Sequence, residues 1–120
     1  MITIYHNPRC SKSRGACELV NELNAGDEPV EIIEYLKHPL TLTRLKQLHA
    51  MLNCPIRDMI RSTEREYKEL GLDDTTLTNS QLYEAIIQHP ILLQRPIVVR
   101  NDRAAIGRPP ESVESLFATE

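Results

Sequence analysis

Cys10 is the residue around which chemistry can be built. It stands in His6-Asn7-Pro8-Arg9-Cys10-Ser11-Lys12-Ser13-Arg14, between the short apolar run Ile2-Thr3-Ile4-Tyr5 and a segment of helical spacing. The stretch therefore reads as a strand-to-helix loop with a thiol at the helix start. The first turn of a helix presents unpaired backbone N–H groups and a positive dipole end, and both favour thiolate over thiol. Arg9, Lys12 and Arg14 add positive charge. A thiolate nucleophile in an anion-binding loop is the chemistry this pattern offers. The competing reading is a free cysteine acting as a small buried hydrophobe, for which a cationic, proline-bounded loop is a poor location.

The neighbouring residues narrow the chemistry. His6, at the end of the strand pattern, either supports the thiolate electrostatically or is a plain sheet residue satisfied by backbone. The spacing Cys10-x-x-Ser13 lacks the second thiol that resolves a mixed disulfide in Cys-x-x-Cys motifs, so a reaction at Cys10 would need an outside thiol. The Ser11 and Ser13 hydroxyls are placed to hydrogen-bond a thiolate or bound oxyanion, or equally to cap the helix. Cys17 falls on almost the same helix face but about 10 Å along the axis, too far for a disulfide, and reads as core. Cys54, before Pro55, reads as packing.

Among the cations, Arg44, Lys46, Arg57, Arg65 and Lys68 occupy polar helix positions and read as solvated faces. Arg61, Arg95 and Arg108 have a different context. Arg95 precedes Pro96 just before an apolar strand, where a cis peptide would fix the backbone beside the thiol loop. Arg108 is held in Gly107-Arg108-Pro109-Pro110. Three guanidiniums converging on one thiolate would hold a tetrahedral oxyanion in the fork geometry arginine favours.

These side chains need a scaffold. Ile2 to His6 reads as a central strand, residues 11–24 as a helix closed by Gly26 in a left-handed cap, and Val30 to Leu36 as a second strand. A strand-helix-strand unit of this length implies parallel pairing through a right-handed crossover, with the Cys10 loop at the carboxyl end of a strand, where open α/β sheets place ligands. Thr41 is a candidate N-cap for a helix carrying Leu42, Leu45, Leu48 and Leu52. A short helix follows from Pro55 to about Ile60, another turn or two over 64–70, and a helix over 79–88 behind a Thr78/Gln81 capping box. Ile97 to Arg100 and Ala104 to Ile106 form an antiparallel hairpin across 101–103, and a short helix over 111–117 ends the pattern. The fold expected is one α/β domain over 1–120: a small mixed four-stranded sheet (βαβ, then ββα) with a helical insertion at about 40–90.

Composition excludes several classes. With 120 residues and 41% hydrophobic content, one modest core suffices. A formal charge of −3 gives no global attraction to nucleic acid or an anionic membrane, so any anion site must be local. No apolar run approaches the roughly 20 residues that span a bilayer, and a cytoplasmic protein is the expectation. Three irregularly spaced cysteines make neither a disulfide framework nor a zinc site.

The motifs Tyr5-His6-Asn7-Pro8-Arg9-Cys10-Ser11-Lys12-Ser13-Arg14, Tyr67-Lys68-Glu69-Leu70-Gly71-Leu72, His89-Pro90-Ile91-Leu92, Arg95-Pro96-Ile97-Val98-Val99 and Gly107-Arg108-Pro109 occur in order over nearly the whole chain. Together they resemble the ArsC-type arsenate reductase family. The resemblance implies a thioredoxin-like fold and reduction of arsenate to arsenite, with glutaredoxin as partner, glutathione as co-substrate and no bound cofactor. It gives Cys10 the nucleophile's role, His6 that of the adjacent histidine, and Ser13 that of the loop serine. Arg61, Arg95 and Arg108 take the oxyanion positions, and Arg95-Pro96 the cis-proline position. Two other readings stay open: a redox-responsive regulator of the same fold that binds RNA polymerase, and a glutathione-dependent thiol reductase with another substrate.

Overall fold

The computed structural model describes residues 1–118. Strands β1 (Ile2–His6), β2 (Val30–Glu34), β3 (Ile97–Arg100) and β4 (Arg103–Ile106) form one sheet in the order β2-β1-β3-β4. β1 runs parallel to β2 and antiparallel to β3, and β3 is antiparallel to β4. This is the mixed four-stranded α/β arrangement expected from the sequence, with β1 central. The chain divides into two compact units: Met1–His38 with the segment from Arg95 onward, and Pro39–Gln94.

In the first unit, helix α1 (Ser11–Leu23) connects β1 to β2, and a 3-10 helix (Pro110–Phe117) packs against α1 and β4. Ile2, Ile4, Val20, Val98, Val113 and Leu116 make the buried cluster that joins sheet to helices. Val113 and Leu116, three residues apart, align on the buried face of this helix at three residues per turn. Arg100 ties the far end of the sheet together. Its Nε and Nη2 donate to Glu28 Oε2 at 2.8 and 2.6 Å, its Nη1 to the Leu116 carbonyl at 2.8 Å, and its guanidinium lies 4.7 Å from the Phe117 ring centroid. That guanidinium holds the Glu28 carboxyl below its usual range.

Three local expectations are corrected. β2 stops at Glu34 instead of Leu36 because the Lys37 and His38 N–H groups both turn back onto the Glu34 carbonyl. Gly26 does not take a left-handed cap. The helix ends at Leu23, Asp27 adopts φ 54°, and the Asn24 side chain pairs with both backbone groups of Glu28, a substitution that Asn and Asp make readily in turns. The hairpin turn is two residues rather than three, with Asn101 at φ 58° and Arg103 already in β4.

The second unit holds α2 (Leu42–Leu52), α3 (Arg65–Glu69) and α4 (Asn79–Gln88), with 3-10 turns at Ile56–Met59 and Pro90–Leu92. Both expected caps form: Thr41 accepts from the Arg44 N–H, and Thr78 and Gln81 close a reciprocal capping box. α2 packs on α4, with Leu45, Leu48, Leu82 and Ile86 buried. Arg57 is not a solvated cation. It donates to the Tyr67 hydroxyl (3.1 Å) and to the Leu72 and Asp74 carbonyls (2.7 and 2.8 Å), fastening the irregular 67–74 segment. Periodicity could not reveal this, because two of the three acceptors are backbone carbonyls of an irregular segment.

Candidate active site

The sheet register explains why the site residues of the first unit meet. Tyr5 of β1 pairs with Ile97 of β3, and Ile97 pairs with Ile106 of β4. The carboxyl end of β1, the start of β3 and the end of β4 therefore share one edge of the sheet. The Cys10 loop leaves β1 there, Arg95-Pro96 enters β3 there, and Gly107-Arg108 leaves β4 there. The Arg95-Pro96 and Arg108-Pro109 peptides are both cis; the second was not anticipated. The Gly107 N–H donates to the Pro96 carbonyl at 2.9 Å, which places the two arginine-bearing segments side by side.

That apposition requires a glycine. A Cβ at residue 107 would lie 2.8 Å from Pro96 Cγ, 3.2 Å from Ala16 Cβ and 3.3 Å from Val113 Cγ1. The proline ring cannot swing away as a long side chain would. Gly107→Ala is expected to destabilise the fold by about 1–3 kcal/mol and to shift Arg108 with its segment. Thermal unfolding should show a lower Tm, and a Tm equal to that of the parent protein would contradict the packing argument.

Cys10 is the N-cap of α1, in extended backbone conformation. Its sulfur makes no conventional side-chain cap, yet the loop still favours its anion. Partial burial pushes the thiol up, but the backbone N–H groups of Ser13 and Lys12, together with the hydrogen bond and charge of the Arg95 guanidinium, outweigh burial and leave the thiol lowered. Arg108 Nη1 lies 3.7 Å from Cys10 Sγ and 3.4 Å from the Arg95 carbonyl, so it bridges the sulfur and the β3 entry. Arg95 is itself 8% exposed. A buried cation beside a sulfur acts in a medium where charge is poorly screened, which strengthens its hold on the anion. Cys17 and Cys54 move the opposite way. Burial pushes both thiols up, aided by Glu18 and Asp58 respectively. Among the three thiols, Cys10 is the one made more acidic.

The other loop residues take roles that spacing did not separate. Ser13 is fully buried. Its Oγ accepts from the Asn7 N–H (3.0 Å) and lies 2.7 Å from His6 Nδ1, so it neither faces the sulfur nor caps the helix. What Ser13 offers the thiolate is its backbone N–H. His6 Nδ1 is also 3.6 Å from Cys17 Sγ. Burial lowers the His6 pKa, with Glu34 opposing and Arg14 assisting. A neutral imidazole receiving the Ser13 proton fits this geometry, whereas a cationic support for the thiolate does not. Arg14 donates to the Pro8 carbonyl at 2.9 Å and braces the loop. Arg61 belongs to the second unit, where its N–H donates to the Leu92 carbonyl at 2.7 Å and its Nε lies 3.7 Å from Glu64 Oε1. Among the described residues, no group of three or more His, Cys, Asp or Glu side chains could hold a metal ion. No helix there is long and apolar enough to cross a membrane.

A family model described as the ArsC family matches residues 5–116. The chain belongs to the ArsC family. An arsenate reductase of Neisseria meningitidis serogroup A is 46% identical over 117 residues, covering 97% of each chain. The Escherichia coli K12 protein YfgD, named as uncharacterized, is 45% identical over 113 residues, covering 93% of this chain and 92% of its own. The solved arsenate reductase from Vibrio cholerae superposes with a TM-score of 0.89 at 40% identity, over 96% of each chain. With that likeness, the thioredoxin-like fold implied by the sequence motifs stands for this ArsC family member.

Proposed function

We propose that this ArsC family member reduces arsenate to arsenite, with Cys10 as nucleophile and with glutathione and glutaredoxin supplying the electrons. The observation that carries the reading is the acidified Cys10 thiol at a helix N-cap with two guanidiniums, Arg95 and Arg108, against it. Relatives named arsenate reductase over nearly the full chain supply the substrate. Arg61 enters the reading on the family resemblance alone.

The chemistry follows from the parts. The Cys10 thiolate displaces hydroxide from arsenate, which leaves as water after protonation, and forms an S–As bond with arsenic still pentavalent. Arg95 and Arg108 offset the negative charge of both partners and of the crowded intermediate between them. Because Ser13 replaces a second motif cysteine, the resolving thiols come from outside. Glutathione replaces a second oxygen, again lost as water. A glutaredoxin thiolate then attacks the glutathione sulfur, and the S–As electron pair stays on arsenic. Arsenic becomes trivalent, the two outside thiols leave as a mixed disulfide, and hydrolysis frees arsenite and Cys10. Two electrons leave the thiol pair and two arrive on arsenic.

The reading also places the protein in the cytoplasm, where reduced glutathione is available. A substrate panel tests it: arsenate, phosphate, sulfate, selenate and low-molecular-weight disulfides in a coupled assay with glutathione, glutaredoxin, glutathione reductase and NADPH. Arsenate should be turned over well above the others. Turnover of a disulfide above the rate without this protein, in preference to arsenate, would move the assignment to a thiol reductase. Stoichiometric capture of RNA polymerase without arsenate turnover would move it to a regulator.

A further inference from the structure

We infer that Asn7 is the positioning residue of this site: it shapes the loop so that the Cys10 sulfur meets the α1 N–H groups and the guanidiniums of Arg95 and Arg108. The inference rests on the proposed nucleophilic role of Cys10. Asn7 is one of three buried polar or charged residues among those described, with Ser13 and Arg95, at 6% exposure. Its hydrogen bonds run within the loop and to the first turn of α1. Its side-chain Oδ1 accepts from the Arg9 N–H at 3.0 Å, closing an Asx turn. Its carbonyl accepts from the Cys10 N–H at 3.0 Å, closing a second turn around the same residues. Its own N–H donates to the Ser13 hydroxyl, which continues to His6.

These bonds act at the point where the cysteine is aimed. The Cys10 N–H precedes the helix and is a donor the helix itself cannot satisfy. With it and the Arg9 N–H both turned onto Asn7, the backbone enters α1 with Cys10 extended and its side chain over the first turn. Meanwhile the Asn7 link to Ser13 fixes the third residue of that turn, whose N–H serves the sulfur. Loss of the Oδ1 acceptor leaves the Arg9 N–H without its partner and loosens the turn on which the aim of the sulfur depends. Asn7 touches no reacting atom, so its effect is exerted through Cys10.

The groups that could shift the Cys10 titration are few. Arg95 and Arg108 come from the hairpin ends, His6 from β1, and Arg9, Lys12 and Arg14 from the loop and helix. The 3-10 helix packed on α1 carries Glu111 and Glu114, both exposed. A change at residue 7 removes none of these charges.

The test is the pH dependence of iodoacetamide alkylation at Cys10, followed by peptide mass spectrometry so that Cys17 and Cys54 are scored separately. Asn7→Leu removes the acceptor at similar volume, Asn7→Ala removes it with the volume, and Asn7→Ser keeps a shorter, weaker one. In the first two, the alkylation midpoint should move up by about one unit, with about tenfold slower reaction at neutral pH. Asn7→Ser should fall between them and the parent protein. A midpoint unmoved in any folded variant overturns the inference, and Asn7→Ser decides it if the other two do not fold. The assay contains no arsenate. A shifted midpoint in a protein that does not reduce arsenate would leave this inference standing and defeat the proposed function, and the reverse pattern would do the opposite.

Discussion

Cys10→Ser is expected to abolish arsenate-dependent, glutaredoxin-coupled NADPH oxidation, by about 10⁴-fold or more, because removing a covalent nucleophile removes the pathway rather than a share of its stabilisation. A serine hydroxyl at the same N-cap remains protonated at neutral pH and is the poorer nucleophile. The serine should also cap α1 at least as well as a thiol does, so the variant's thermal unfolding should match the parent's. That separation of activity from stability makes the experiment decisive. Cys17→Ala and Cys54→Ala should keep most of the turnover, since both thiols are driven toward the protonated form by burial.

Arg95→Met should have the next largest effect. The guanidinium is buried, hydrogen-bonds the sulfur and adds its charge to the lowering of the thiol. Methionine keeps an unbranched apolar stem while removing both contributions. The sign follows directly: with this cation gone, the Ser13 and Lys12 N–H groups and the more distant Arg108 guanidinium are left to oppose burial, the thiol rises, and less thiolate is present at neutral pH. Alkylation of Cys10 should therefore slow near neutrality and recover toward high pH. Turnover of arsenate should fall further, by about 10²–10³-fold, because the same guanidinium would also stabilise the charge that develops on the oxyanion. Arg95→Lys should restore part of the thiol acidity and little of the turnover, since an ammonium keeps the charge but not the planar fork. Equal recovery of both in Arg95→Lys would show that charge alone is used at this position.

The sequence made the acidified thiol legible because its signals are local: a strand pattern, a cysteine at a helix start, and cations beside it. The caps at Thr41 and Thr78 were legible for the same reason, being set by residues three apart. The meeting of Arg95 and Arg108 was not. It depends on the registers Tyr5 to Ile97 and Ile97 to Ile106, and on a Gly107 too closely packed to carry a Cβ; neither follows from spacing along the chain. Ser13 shows the opposite limit. Its position in the motif suggested a hydroxyl for the thiolate, whereas the helix phase turns that hydroxyl inward to Asn7 and His6 and leaves the backbone N–H to face the sulfur. Asn7 gives no such signal, because its side chain bonds a main-chain N–H and an Asx turn has the same composition as any polar loop. Gly26 failed as a cap because Asn24 and Asp27 nearby could end the helix by other bonds.

The central claim is that Cys10 turns arsenate over at the expense of outside thiols. The most direct measurement is arsenite itself, quantified by arsenic speciation alongside NADPH consumption, in a mixture of this protein, arsenate, glutathione, glutaredoxin, glutathione reductase and NADPH. One arsenite should form per NADPH consumed, with the signal lost when arsenate, glutathione or glutaredoxin is omitted or when Cys10→Ser replaces the parent protein. Arsenite no higher than in the protein-free control, or undiminished formation by Cys10→Ser, would contradict it.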